Sequence, residues 1–158
     1  MITPNILKIS ANYTSSPLTY ICNKAISAGV FPDRLKNSIV TPVFKKGNNS
    51  DPANYRPISV LTSFTKVLET ALYMRLAEHI TLNNMLTERQ FGFRKGFSTD
   101  EAIFKLIYEV LNALNDKSLA GSIFFDLEKS FDSVNHSLLI KKLPYYGITG
   151  KAKLLFEC

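Results

Sequence analysis

Residues 120–132 read AGSIFFDLEKSFD, and this stretch decides which fold the sequence predicts. Residues 120–125 form a short apolar run with the composition of a buried strand, and Asp126 closes it. A carboxylate at the end of a strand can face a cleft that holds a divalent cation, because Mg²⁺ takes oxygen ligands from protein carboxylates and substrate phosphates. The alternative is local, with Asp126 capping the turn after its strand and Asp132 capping a short helix.

The sequence before this stretch predicts two well-marked helices. Thr62 or Ser63 can cap the first, whose apolar residues recur at a helical period. Ser98, with Glu101 three residues later, forms a capping box that opens the second. The second helix has the most regular apolar stripe in the chain, and this periodicity predicts a buried face. The stripe consists of Ile103, Leu106, Ile107, Val110, Leu111 and Leu114.

Further helices are predicted towards the two ends of the chain. Residues 4–28 are expected to be helical in two pieces with a break at residues 15–17, because Pro17 suits a first helical turn. A short helix is expected over residues 136–143, where a proline and then a glycine end the pattern.

A strand is predicted between these helical regions. Residues 38–44 are rich in β-branched side chains, and Pro42 restricts such a strand to the edge of a sheet because it has no N–H to donate. Residues 45–57 form a polar connection after it. The predicted fold class is therefore α/β (α+β), in one continuous unit.

The composition excludes several classes of protein. The 158 residues are 46% hydrophobic and 20% charged, so the chain can bury a core and is not a disordered or low-complexity protein. No apolar run approaches the roughly 18 residues of a membrane span, and no membrane partner is expected. The net charge is +6, and residues 31–96 hold ten basic and five acidic side chains. Such a region suits a polyanion such as a nucleic acid, although a solvated basic face is the simpler interpretation.

Two groups of basic residues are candidates for binding phosphates. Lys45 and Arg56 lie in the polar connection, where a point charge and a planar guanidinium together suit a triphosphate. The loop at residues 90–97 interleaves three phenylalanines with Arg94 and Lys95, a combination that can stack a base and neutralise its phosphate. The alternatives are a solvated basic turn for the first group and aromatic core anchors for the second.

Five motifs occur in order along the chain, and together they are far more specific than each is alone. They are GVFPxxLK at 29–36, VxPVFKKG at 40–47, NYRPIS at 54–59, QFGFR at 90–94 and FDLEKSFDxVxH at 125–136. This series resembles the reverse transcriptase of non-LTR (LINE-like) retrotransposons, nearest to the jockey-like branch. The resemblance runs from about residue 17 to residue 158.

The resemblance implies an RNA-directed DNA polymerase with a right-hand fold. Residues 1–119 then correspond approximately to the fingers region, and residues 120–158 to the start of the palm. The implied partners are an RNA template, a DNA primer and deoxynucleoside triphosphates, and the implied cofactor of the complete enzyme is Mg²⁺.

The resemblance also assigns roles to individual residues. Asp126 corresponds to the first metal-binding, catalytic aspartate of the palm, and the carbonyl of Leu127 to a further metal ligand. Phe131 corresponds to the residue that contacts the sugar of the incoming nucleotide, whereas Lys45 and Arg56 correspond to residues that hold its triphosphate. The residues expected to bind nucleic acid are Gln90, Phe91, Gly92, Arg94 and Lys95.

The sequence departs from the family pattern in two ways. Ser130 stands where alanine is usual, and the 158 residues contain no Tyr-x-Asp-Asp segment, which supplies the remaining palm carboxylates in the family. We therefore expect an N-terminal fragment that is inactive alone and lacks the partner segments of palm and thumb. The alternatives are a domesticated nucleic-acid-binding module without catalysis and a decaying retrotransposon reading frame. The expected location is intracellular, and the nucleus is one compartment that fits.

Overall fold

A computed structural model of the protein describes residues 2–127 and 130–158. These residues form a mixture of helices and strands in two compact units. The first unit contains residues 2–79 and 136–158, and the second contains residues 80–135. None of the helices within the described residues is long and apolar enough to cross a membrane.

The first unit begins with two helices, α1 (Pro4–Ile9) and α2 (Ala11–Ala28). The expected break at residues 15–17 is wrong, because the two helices separate at Ser10, whose hydroxyl donates to the carbonyl of Ile6. Pro17 lies inside α2 on its solvent-exposed side. There water can satisfy the carbonyl that a proline leaves without an N–H partner, so the helix continues. Gly29 ends α2 in the left-handed conformation, as its position in the sequence predicts.

A two-stranded antiparallel hairpin follows the short helix α3 (Asp33–Lys36). Strand β1 (Ser38–Phe44) confirms the predicted strand, and it pairs with β2 (Tyr55–Leu61). The sequence interpretation missed β2, since the connection predicted over residues 45–57 ends at the start of this strand. The proline that made this region look like a loop is Pro57, which lies directly opposite Pro42. Both strands are sheet edges in the described structure, so an edge position for Pro42 is confirmed.

The buried residues that the structure describes all lie in the first unit. Leu68, on helix α4 (Ser63–Leu82), has only 1% of its surface exposed. Helix α2 also packs against helix α7 (Gly150–Glu157), and the Gly29 that ends α2 lies so close to α7 that a Cβ would come 2.8 Å from the carbonyl oxygen of Lys151. The other buried side chains are Ala25, Ser63, Thr65, Ile148 and Leu155.

Hydrogen bonds satisfy the buried polar groups at the start of α4. The hydroxyl of Thr65 donates to the carbonyl of Leu35 over 3.0 Å, and the hydroxyl of Ser63 donates to the carbonyl of Ile2 over 2.7 Å. The hydroxyl of Thr62 accepts from the backbone N–H of Thr65, which confirms the predicted cap. These bonds join α4 to segments far away in the sequence and fix its first turn.

Helix α6 (His136–Lys142) confirms the helix expected near the end of the chain. A single 3₁₀ turn (Leu143–Tyr146) follows it, and Gly147 ends that turn with a φ of 73°. Pro144 occupies the start of the turn, where a missing N–H costs nothing.

The capping box of helix α5 (Thr99–Asn115), in the second unit, is confirmed atom by atom. The N–H of Glu101 donates to the hydroxyl of Ser98 over 3.3 Å, and the N–H of Ser98 donates to the carboxylate of Glu101 over 3.0 Å. Each bond satisfies one of the backbone donors that a helix start leaves without a partner.

Replacing Ser98 by Ala is expected to lower the free energy of unfolding by about 1 kcal/mol, because the N–H of Glu101 loses its acceptor. Denaturant unfolding of the 158-residue chain, monitored by circular dichroism, measures the loss. The matched control is Ser98→Asp, since aspartate is an equally good N-cap and should keep most of the stability. Equal losses in both variants would show that the hydroxyl does not act as a cap.

Two predictions for the second unit are wrong. The stripe on α5 is not buried in the described structure, and Ile107 at its centre is 51% exposed. Residues 120–125 do not form a strand, and their side chains are exposed. Both errors have one cause: a helix face or a strand is buried only when another element covers it or pairs with it. Among the described residues the only sheet is the β1–β2 hairpin, which lies in the first unit.

Candidate nucleotide and nucleic-acid site

The loop between α4 and α5 folds back on itself through its own hydrogen bonds. The backbone N–H of Gln90 donates to the carbonyl of Thr87, and its side-chain amide donates to the carbonyl of Gly92. Phe93 and Gly96 both take positive φ angles, of 58° and 83°. These features give the loop a defined shape although it contains no helix or strand.

Arg94 stabilises this loop from within. One guanidinium nitrogen donates to the carbonyl of Thr87 over 3.1 Å, and the guanidinium carbon lies 4.1 Å from the centre of the Phe97 ring. The Phe97 ring in turn meets Phe91 edge to face, with 6.0 Å between centroids. A guanidinium has five N–H donors, so the bond to Thr87 leaves most of them available to a phosphate. Arg94 can therefore both shape the loop and contact a ligand.

The other predicted residues of the loop are accessible to a ligand. Gly92 and Lys95 are exposed, and Gln90 and Phe91 are half-buried. None of the three phenylalanines of the loop is buried, so the alternative of aromatic core anchors is wrong. Sequence reasoning missed Lys105, whose ammonium lies 6.0 Å from the centre of the Phe91 ring. Lys105 lies inside α5 and belongs to none of the five sequence motifs.

Asp126 and Leu127 lie in the exposed segment at residues 120–127. Asp126 therefore does not close a buried strand as expected. Phe131 is 74% exposed, and its ring meets that of Phe93 edge to face, with 5.8 Å between centroids. Phe131 therefore lies beside the loop at residues 90–97. Glu128 and Lys129, within the motif, lie outside the described residues.

Lys45 and Arg56 lie on the same face of the hairpin. Arg56 lies opposite Val43, and Lys45 follows Val43 by two residues, so both basic side chains lie on the face of Val43. The backbone N–H of Lys45 donates to the carbonyl of Asn54 over 2.8 Å, which continues the strand pairing past Phe44. Lys45 and Arg56 are exposed and diagonal neighbours, a spacing that suits one polyanionic group bound between them.

A compact turn holds this end of the hairpin. Gly47 has a φ of 98°, and a Cβ there would lie 2.9 Å from the amide nitrogen of Asn54. That amide donates to the carbonyl of Asn48, and the hydroxyl of Tyr55 donates to the carbonyl of Asn49. These contacts hold the turn that connects Lys45 to Arg56.

The oxygen donors at residues 126–127 are of the kind that Mg²⁺ prefers. A carboxylate and a backbone carbonyl are hard ligands, and Mg²⁺ is commonly bound by one or two carboxylates together with substrate phosphates. Asp126 and Leu127 thus fit the ion by donor type. Among residues 2–127 and 130–158 no group of three or more His, Cys, Asp or Glu side chains could hold a metal ion.

Comparison with known proteins extends over most of the chain. The profile of a family described as reverse transcriptase (RNA-dependent DNA polymerase) matches residues 43–156. A probable RNA-directed DNA polymerase from transposon BS of Drosophila melanogaster is 36% identical over 83% of this chain and 15% of its own length. No solved structure matches the chain.

Two further relatives agree with these matches. A probable RNA-directed DNA polymerase from transposon X-element of Drosophila melanogaster is 33% identical over 83% of the chain. The RNA-directed DNA polymerase from mobile element jockey of Drosophila funebris is 32% identical over 79% of it. The chain spans about 15% of the length of these curated relatives.

Proposed function

The chain belongs to the reverse transcriptase (RNA-dependent DNA polymerase) family, in the branch of the non-LTR retrotransposons, and we propose from this premise that it carries the nucleotide- and template-binding part of an RNA-directed DNA polymerase. In this proposal residues 1–119 form the fingers region and residues 120–158 begin the palm. Template-directed nucleotidyl transfer then depends on further segments of such a polymerase, which would be the partners of this chain.

The hairpin would hold the triphosphate of the incoming deoxynucleotide. Lys45 and Arg56 are diagonal neighbours on one face, so a point charge and a planar fork can approach the same group of phosphates. Arginine binds two phosphate oxygens at once, whereas lysine neutralises charge without fixing orientation. The pair therefore supplies both orientation and charge.

The loop between α4 and α5 would lie along the template strand. Gln90, Gly92 and Lys95 offer an amide, exposed backbone and a cation, and the half-buried ring of Phe91 offers an apolar surface to a base. Phe131 would contact the sugar of the incoming nucleotide, from a position beside this loop.

Asp126 and the carbonyl of Leu127 would hold Mg²⁺ in the complete enzyme. When bound, that ion neutralises charge on the phosphates and polarises them for transfer. This chain would contribute the carboxylate of Asp126, five residues before Phe131 in the sequence.

One observation carries the proposal: the family match covers residues 43–156, and every site residue named above lies within that range. The curated relatives support it, because they are described as RNA-directed DNA polymerases, or probable ones, from mobile elements. A domesticated binding module and a decaying reading frame remain the alternatives, and these matches favour neither.

Primer extension on an RNA template tests the proposal directly. The protein to compare is a chimaera, in which residues 1–158 replace the matching segment of the polymerase from transposon BS. We expect template-dependent extension with Mg²⁺ and deoxynucleotides from the chimaera. The 158 residues alone should give none, because they contain no Tyr-x-Asp-Asp segment.

The unaltered BS polymerase is the matched control for this experiment. If it extends the primer and the chimaera does not, this chain is not a competent polymerase segment and the proposal fails. Template-dependent extension by the 158-residue chain itself would contradict the dependence on further segments.

Binding of single-stranded RNA to the 158-residue chain distinguishes the charge of Arg94 from the stacking of its planar guanidinium. Arg94→Lys keeps the charge but removes the planar guanidinium that stacks on Phe97. Its affinity should fall although the slope of affinity against salt stays the same. The matched change Lys95→Ala removes only a charge and should reduce that slope by about 0.7.

Fluorescence anisotropy over a salt series measures both quantities. Wild-type affinity for Arg94→Lys would show that the loop does not need the planar group. An unchanged salt slope for Lys95→Ala would remove that residue from the phosphate contacts.

A further inference from the structure

Phe93 takes a backbone conformation that is costly for its type of side chain. Its φ is 58°, in the left-handed region that bulky residues rarely enter, although glycines stand nearby at positions 92 and 96. Phe93 is 89% exposed, so burial of apolar surface does not compensate for this conformation. Backbone outliers of this kind concentrate at functional sites, where the direction of a side chain matters more than local stability.

The direction imposed on Phe93 brings its ring to Phe131. The two centroids lie 5.8 Å apart and the ring planes are nearly perpendicular, at 88°. This is the edge-to-face geometry that aromatic pairs prefer, because the positive edge of one ring meets the negative face of the other. The contact joins the loop between α4 and α5 to the segment that follows Asp126, within the second unit.

We propose that Phe93 is a positioning residue that fixes the ring of Phe131 and thereby sharpens discrimination between deoxyribose and ribose. This inference rests on the proposed function, in which Phe131 contacts the sugar. Phe131 is itself largely exposed, and an exposed side chain changes rotamer rapidly. A ring that excludes a 2′-hydroxyl must stay in place, and the perpendicular contact with Phe93 restricts its movement.

The geometric half of the proposal is tested in the 158-residue chain by NMR with ¹³C-labelled phenylalanine. Phe93→Leu removes the ring and keeps an apolar side chain, so it should shift the ring resonances of Phe131. Phe93→Tyr keeps the ring and should leave them near their original positions. The matched control is Phe104→Leu, which removes another exposed ring of the same unit. Equal shifts of the Phe131 resonances in the two leucine variants overturn the proposal.

The functional half is tested in the chimaera by the ratio of ribonucleotide to deoxynucleotide incorporation efficiency. We expect Phe93→Leu to raise this ratio about 2- to 10-fold, in line with the strength of an edge-to-face pair. Phe93→Tyr keeps the ring and should leave the ratio near its original value. If Phe93 has a purely structural role, Phe93→Leu should lower both efficiencies alike and leave the ratio unchanged.

The variant Phe131→Val distinguishes failure of this proposal from failure of the proposed function. If Phe131→Val changes the ratio and Phe93→Leu does not, the positioning role of Phe93 is wrong and the sugar contact of Phe131 stands. If Phe131→Val itself leaves the ratio unchanged, the sugar contact is wrong, and the selectivity role of Phe93 is wrong with it.

Discussion

Replacing Asp126 by Asn in the chimaera is expected to slow primer extension by about 10³-fold or more. A metal ion at the reacting phosphate contributes several kcal/mol of charge stabilisation, and each ~1.4 kcal/mol corresponds to a tenfold change in rate. Asparagine has the same size as aspartate but no charge, so the substitution weakens the proposed Mg²⁺ site and leaves the shape of the side chain unchanged. Single-turnover extension at saturating deoxynucleotide and Mg²⁺ measures the loss.

Asp132→Asn is the matched control, because it removes the same charge from an exposed carboxylate in the same motif. Its rate should stay within about twofold of the unsubstituted chimaera, the range of an ordinary surface change. RNA binding by the 158-residue chain should survive both substitutions. Similar rate losses in the two variants would mean that Asp126 has no special role in catalysis.

The parts of the fold that could be predicted from the sequence depend on local interactions. The capping box at Ser98 and the left-handed end of α2 at Gly29 follow from side chains and φ angles within a few residues. Strand β1 was predictable from its β-branched residues, whereas β2 was hidden by Pro57. Pairing with β1 makes the segment around Pro57 a strand, and local sequence rules do not identify a pairing partner.

Burial was the least predictable property, because it depends on elements that are distant in the sequence. The stripe on α5 has the right period for a buried face, yet Ile107 remains half exposed. Residues 120–125 are also exposed. Their apolar composition predicts a buried strand, but they pair with no strand among the described residues. A periodic pattern shows that a face can be buried, and only tertiary structure shows whether another element covers it.

The candidate site was also only partly predictable from the sequence. Its residues could be chosen from ordered motifs, but their contacts could not. The stacking of Arg94 on Phe97 and the meeting of Phe93 with Phe131 depend on loop conformation, including a positive φ at a residue that is not glycine. Lys105 shows the same limit, since only the three-dimensional structure places it beside Phe91.

The substitution Phe131→Val is expected to raise the ratio of ribonucleotide to deoxynucleotide incorporation by about 10- to 200-fold in the chimaera. Selectivity of this kind arises from a clash with the wrong substrate, because a rigid ring against the sugar leaves no room for a 2′-hydroxyl. A difference of about one heavy atom in a close-fitting pocket changes discrimination by about 10- to 200-fold, which gives this range. The efficiency for deoxynucleotides should largely survive, since valine only removes bulk.

The alternative for Phe131 is an aromatic anchor that stabilises the turn at residues 130–133. Truncation of a buried phenylalanine costs about 3–5 kcal/mol, so an anchor would lose stability and the activity with both substrates together. Phe131 is 74% exposed and its ring contact is with Phe93, so we expect the free energy of unfolding of the 158-residue chain to fall by no more than about 1.5 kcal/mol, the upper end for an edge-to-face pair. Denaturant unfolding of the chain and the two incorporation efficiencies of the chimaera separate these roles. A large loss of stability with an unchanged ratio would make Phe131 an anchor and remove it from the nucleotide site.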